Sequence, residues 1–203
     1  MLQRLGSAST GITTPHARSR WTQGFTMVEL MVTITIVAII AAIAMPSINS
    51  NSPASEANAL LGMIQLARSA AVKQGQNVIV CPSSNPTAAA PVCNTGSTWS
   101  TGWIVLAPVN GLCTATGGAT GDLVLQTQQA FTSQDTAVFS TTGANTAFCF
   151  TRLGFAFTAY TGLVQFDSSP VNLARRRCMA VSGVGHAQVL THGQSDAIGM
   201  ACP

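Results

Sequence analysis

The chain has 203 residues, room for one domain plus appendages. Only 7% of them are charged and 6% are aromatic, and the formal net charge is +3. That composition argues against an ordinary cytosolic enzyme. Most of the positive charge sits in Arg4, Arg18 and Arg20 and in the run Arg175-Arg176-Arg177, which leaves no broad basic face for nucleic acid.

Residues 1–24 are basic, hold no acidic residue and are interrupted by Pro15 and several Ser, Thr and Gly. They read as a cytoplasmic leader that is cleaved away. From Phe25 to Met45 the chain is almost wholly apolar (FTMVELMVTITIVAIIAAIAM). About 20 such residues suit a bilayer-spanning helix at 1.5 Å per residue. Positive charge before the segment and almost none just after it predicts a cytoplasmic N-terminus and a periplasmic head. The expected spanning segment is therefore 25–46. It closes on Pro46, which lacks an N–H and either kinks a continuing helix or ends it.

Residues 47–75 are expected to continue the helix in amphipathic form. Between Ala54 and Gln74, Leu60, Leu61, Ile64, Leu66, Ala67, Ala70 and Ala71 give a partial three-to-four spacing. Glu56, Asn58, Gln65, Arg68 and Lys73 supply much of the other side, and Gly75 is a C-terminal stop. Residues 76–203 change character to short strand-like runs between turn residues: 77–81, 102–107, 122–126, 137–140, 147–151, 163–166, 177–182 and 187–191. The predicted class is α+β: one long helix, membrane-spanning in its first half and amphipathic in its second, laid on an antiparallel sheet.

Six cysteines, Cys81, Cys93, Cys113, Cys149, Cys178 and Cys202, all follow the apolar segment. An even count on one side of a membrane anchor points to disulfides in an oxidising compartment. Cys81 and Cys93 flank a Pro-containing loop, Cys149 and Cys178 lie in strand-like runs, and Cys202 sits where a bridge ties down the tail. Sequence alone does not choose among the 15 pairings. There is no Cys-x-x-Cys and there are three histidines, so neither a metal nor a cofactor is expected. Gly-x-Ser-x-Gly, P-loop and His-Glu-x-x-His patterns are also missing, so the expected role is not enzymatic.

Glu29 stands inside the apolar run. A carboxylate there costs about 2.5–3.5 kcal/mol on insertion scales, so it needs a partner or a task. Cleavage after Gly24 would place a new amine on Phe25, about one helical turn from Glu29. The carboxylate then pairs with its own amine or with that of a neighbouring subunit, and in the second case sets the register of packed helices. An ordinary secretory signal peptide cut near Ala42-Ile43-Ala44 is the competing reading. Glu29 would interrupt its apolar region, and that region is longer than usual.

Gly24-Phe25-Thr26-Met27-Val28-Glu29, followed by the apolar run and Pro46, resembles the class III signal of type IV prepilins and pseudopilins. The resemblance implies cleavage and N-methylation by a membrane-embedded prepilin peptidase at Gly24 and Phe25, an assembly role for Glu29 and a helix kink at Pro46. The 24-residue leader is longer than the short form common in such proteins.

Leu66-Ala67-Arg68-Ser69-Ala70-Ala71, Lys73-Gln74-Gly75-Gln76, Val80-Cys81-Pro82-Ser83 and the Trp99/Gly102-Trp103 group are similar, in this order, to the GspH/FimT family. Ala70 replaces the family's usual Glu. That family implies a minor pilin of a type IV pilus, helping to start assembly near the tip. Its alternative is the H-type pseudopilin of a type II secretion system. Either implies other pilins and inner-membrane lipid as partners. Some relatives take up DNA through a C-terminal Gly-Arg-x-Arg. Here Val184-Gly185-His186-Ala187-Gln188 lacks both arginines, and Arg175, Arg176 and Arg177 are the substitute candidates for a phosphate contact. Trp99 and Trp103 are expected at a core edge, with a ligand-stacking platform as the sharper reading.

Overall fold

The computed structural model describes residues 24–48, 52–114, 117, 119–140 and 145–203, with side chains for all of these except 42–48. The leader, apart from Gly24, and residues 49–51 lie outside the described residues. Two compact units divide the chain, residues 1–44 and residues 45–203.

Helix α1 spans Met27–Ile48. Its backbone remains helical through Pro46, so this proline does not end the helix. Thr33 and Thr35 turn their hydroxyls back onto the carbonyls of Leu30 and Val32, which removes two polar groups from the helix surface. Every described side chain of α1 is exposed. Among the described residues no helix is long and apolar enough to cross a membrane. The part of α1 whose side chains are described, residues 27–41, is about 22 Å long at 1.5 Å per residue, against a hydrocarbon core of about 30 Å. The expected span takes in residues 42–46 as well, whose side chains lie outside the described residues.

Helix α2 spans Ser52–Gln74 and buries Ala57, Leu60, Met63, Ile64, Ala67, Ala70 and Ala71, a stripe at helical period. The small alanines in the last two turns allow close approach of the backbone beneath. Gly75 follows at φ +66°, the left-handed position that stops the helix.

Eight strands follow: β1 (Val78–Pro82), β2 (Trp103–Ala107), β3 (Leu123–Gln128), β4 (Thr136–Ser140), β5 (Phe148–Phe150), β6 (Gly162–Asp167), β7 (Arg177–Val181) and β8 (Ala187–Thr191). They overlap the eight runs read as strands. The fold is α+β as expected, and the antiparallel head is built from two four-stranded sheets. Their orders are β3-β2-β1-β5 and β4-β6-β7-β8, with antiparallel pairing throughout. Helix α2 packs against strands of both sheets at once.

Strand parity explains the core. Val78 and Val80, Trp103, Val105 and Ala107, Val164 and Phe166, and Met179 and Val181 alternate at period two and join α2's buried stripe in one cluster. The alternate residues form two smaller clusters on the outer faces, one around Ile79, Cys81, Ile104 and Cys149, the other around Leu163, Cys178, Ala180 and Leu190. Both faces of β1 and β2 are thus covered, and every residue of these strands is buried.

Candidate assembly site

Gly24 and Phe25 precede α1, and Phe25 is 80% exposed. A Cβ at Gly24 would meet nothing within 4 Å, so no packing requires glycine there. Thr26 starts the helix: its carbonyl accepts the Leu30 N–H at 3.1 Å and its hydroxyl accepts the Glu29 N–H at 3.2 Å. Thr26-Met27-Val28-Glu29 has capping-box spacing, and the half contributed by Thr26 is formed. The Glu29 carboxylate itself makes no hydrogen bond or ion pair among the described residues. It is exposed in the first turn, where the helix dipole favours negative charge.

In the second unit, α2 opens on a second carboxylate. Ser52 donates its hydroxyl to Glu56 Oε1 at 3.0 Å, and Ser133 does so at 3.3 Å. Oε2 of Glu56 and Oδ2 of Asp135 are buried without a hydrogen-bond partner. Burial pushes the Glu56 carboxyl up to about 7; the Ser52 hydroxyl opposes this, the nearby Asp135 charge adds to it, and the Ser133 hydroxyl opposes it. The native state therefore holds a proton that the unfolded chain releases above the ordinary carboxyl value of 4.5. Stability attributable to this group is intact below about pH 4.5 and is lost as pH rises through about 7. Because Glu56 is only partly buried, solvent screening reduces the effect to about 1 kcal/mol. Glu56→Gln should flatten that part of the pH dependence and raise the melting temperature at pH 8, as thermal unfolding across pH 5–8 will read.

The cysteines form three bridges: Cys81–Cys93, Cys113–Cys149 and Cys178–Cys202, with Cα atoms 5.5, 5.8 and 5.6 Å apart. Cys113, the one cysteine to which the sequence assigns no place in the fold, is the partner of Cys149. Each bridge joins a strand cysteine of outward parity (Cys81, Cys149, Cys178) to one in a loop or tail. The bridges thus fasten loops over the sheet faces turned away from α2. Closing segments of 12, 36 and 24 residues restricts the unfolded chain by about 3–4 kcal/mol each.

The arginine run is already occupied in part. Arg176 pairs with Asp167 at 2.6 Å and also donates to the Pro203 carbonyl. Arg177 donates to the carbonyls of Ala174 and Arg176. Arg175 is exposed.

Trp99 and Trp103 are both fully buried, which corrects the core-edge expectation and leaves no face free for stacking a ligand. Gly102 between them has φ +105°, and a Cβ there would lie 2.5 Å from the Gln128 carbonyl oxygen. Only glycine lets β2 begin so close to the end of β3.

An apolar, uncovered helix headed by a lone carboxylate, joined to a disulfide-bonded α+β head, defines a pilin-like subunit. The prokaryotic N-terminal methylation motif matches residues 22–45, and the family described as type II transport protein GspH matches residues 56–185. The chain belongs to that GspH family. No functionally curated relative matches it. Among solved structures, the type IV minor pilin FimU of Pseudomonas aeruginosa is similar at 20% identity and TM-score 0.50, over 69% of this chain and 89% of that one. A second crystal form of FimU aligns at 21% identity and TM-score 0.48, over 67% of this chain and 90% of that one. At this identity the likeness concerns the fold.

Proposed function

We propose that the chain is a minor pilin of a type IV pilus. It is inserted in the inner membrane with its head in the periplasm, cut after Gly24 by a prepilin peptidase, methylated on Phe25 and built into the filament near its tip, where it helps start assembly. The observation that carries this reading is α1: an apolar helix whose described side chains are all exposed and which begins one residue after Thr26 caps it. Such a surface needs lipid or other apolar helices around it. Its work is assembly through Glu29 and contacts of the head, not bond chemistry.

A second reading, the H-type pseudopilin of a type II secretion system, draws support from the family's own description. The bridged loops over both outer faces favour a subunit displayed outside the cell, which is the pilus reading. DNA binding is the third alternative. It rests on Arg175–Arg177, of which Arg176 is neutralised by Asp167.

A clean deletion separates the first two. Loss of surface pili and twitching with normal exoprotein secretion is the expected result. Normal pili with exoproteins trapped in the periplasm would transfer the chain to the secretion machine.

A further inference from the structure

The end of the head remote from Ser52 carries a surface that neither the family nor the assembly residues account for. At the C-terminal end of α2, residues 75–77, Gly111 and the 151–157 segment line a shallow groove of about 510 Å³. Leu153, Phe155 and Phe157 stand in it at 72%, 50% and 42% exposure, and Val72 on the last turns of α2 is also exposed. Val72 lies beside Gly154, since a Cβ on Gly154 would come within 3.3 Å of it.

These side chains are not on a loose loop. Thr151 and Phe155 pair through a backbone hydrogen bond of 2.8 Å, Ala156 donates to Gly183 at 3.1 Å and Phe157 to Cys149 at 3.1 Å. Cys149 is itself bridged to Cys113. Leu153 is therefore a fixed apolar knob, held out toward solvent at the tip of a tethered turn. Fixing such residues before contact lowers the ordering cost of binding.

The charge beside them is one-sided. Arg68 lies against the turns at Gly154 and Gly185, both at positive φ and both without a side chain to displace it. Arg152 lines the groove and Lys73 follows Val72 on α2. No acidic residue occurs between Glu56 and Asp122 or between Asp135 and Asp167, the stretches that build this end. None of the three cations makes an ion pair among the described residues; the pair found there is Arg176–Asp167.

We infer that this groove docks a segment of a neighbouring pilin-class head in which a carboxylate stands beside large apolar side chains. Leu153, Phe155 and Val72 take the apolar side chains, and Arg68, Arg152 and Lys73 meet the carboxylate. Phe155 and Phe157 offer flat faces, but Leu153 and Val72 beside them are aliphatic, and a surface of mixed shape fits a segment of apolar side chains better than a run of stacked bases. The inference rests on the reading of the chain as a filament subunit.

The test places a photoreactive phenylalanine analogue at Phe155 in the full chain, expressed in its deletion strain. Crosslinked peptides are mapped by mass spectrometry, and the chain is quantified in sheared filaments. The expected product is a crosslink to an acid-bearing apolar peptide of another pilin-class subunit. Arg68→Glu combined with Arg152→Glu should lower its yield at least tenfold, Leu153→Glu likewise, and Arg175→Glu should leave it unchanged. All four residues are exposed, and unchanged melting temperatures will separate lost docking from lost folding. A crosslink confined to nucleic acid or lipid, or full yield in both groove variants, overturns the proposal. So does no crosslink from a chain that is present in filaments. A chain missing from filaments that still gives the expected crosslink supports the groove and instead counts against incorporation into the pilus.

Discussion

Glu29→Ala should leave cleavage after Gly24 intact and lower the amount of this chain in sheared filaments about a hundredfold. The carboxylate belongs to the first turn of an apolar helix and makes no hydrogen bond or ion pair among the described residues, so its removal costs the isolated chain no more than its favourable place at the helix N-terminus. On the proposed reading, the cost would arise when a new Phe25 amine enters hydrocarbon among packed helices. Losing one partner of a buried ion pair costs about 3–5 kcal/mol, because the other charge is left alone, and 3 kcal/mol is roughly a hundredfold in an equilibrium. Glu29→Gln should fail almost as badly, since an amide keeps the shape but not the charge. Intact mass of the membrane-held protein, still beginning at Phe25, will show that processing was spared. Normal filament content of Glu29→Gln would mean that the carboxylate has no assembly role.

The parts of the molecule legible in the sequence were those set by local chemistry. Helical period in α2, strand-like runs after Gly75 and the apolar segment from Phe25 each follow from the spacing of a few side chains. Pairing of distant segments was not legible. The eight strands could be drawn as one sheet because nothing local says that β4 turns to β6 while β5 returns to β1. The bridges were hidden for the same reason, although strand parity held a usable signal. Cys149 alternates with Phe148 and Phe150, and Cys178 with Met179; the core-facing side chains are those neighbours, so both cysteines had to point to the outer faces. The Ser133–Glu56 hydrogen bond spans 77 positions and the groove at Leu153 brings residues 75–77 beside residues 151–157, beyond reach of any periodicity. Arg176 read as free charge because Asp167, on β6, reaches it only once β6 and β7 pair.

Trp103→Ala should destabilise the head by about 3–5 kcal/mol, as expected for removing a buried tryptophan. For a domain of this size that is a fall in melting temperature of about 6–20 °C. Trp103 is where the two sheets and α2 meet. Its ring contacts Trp99 at 6.1 Å, Phe131 at 5.7 Å and Phe166 at 6.4 Å, and its indole N–H points at Met63 Sδ of α2, 2.9 Å away. Phe166 belongs to β6 of the second sheet, so the cavity would open between layers that cannot collapse without moving a strand. Trp103→Phe, which keeps an aromatic ring and loses the N–H contact, should cost much less, about 1–2 kcal/mol. Trp99 stacks on Phe139 at 5.7 Å and donates its N–H to the Thr146 carbonyl at 3.2 Å, so Trp99→Ala should be comparably harmful. The two tryptophans touch, and the double variant should therefore fall short of or exceed the sum of the single ones by about 0.5 kcal/mol or more. Thermal unfolding of the oxidised full chain in detergent measures all four variants. A Trp103→Ala head that melts within a degree or two of the parent would mean that the aromatic cluster does not hold the sheets together, and would reopen a surface role for the pair.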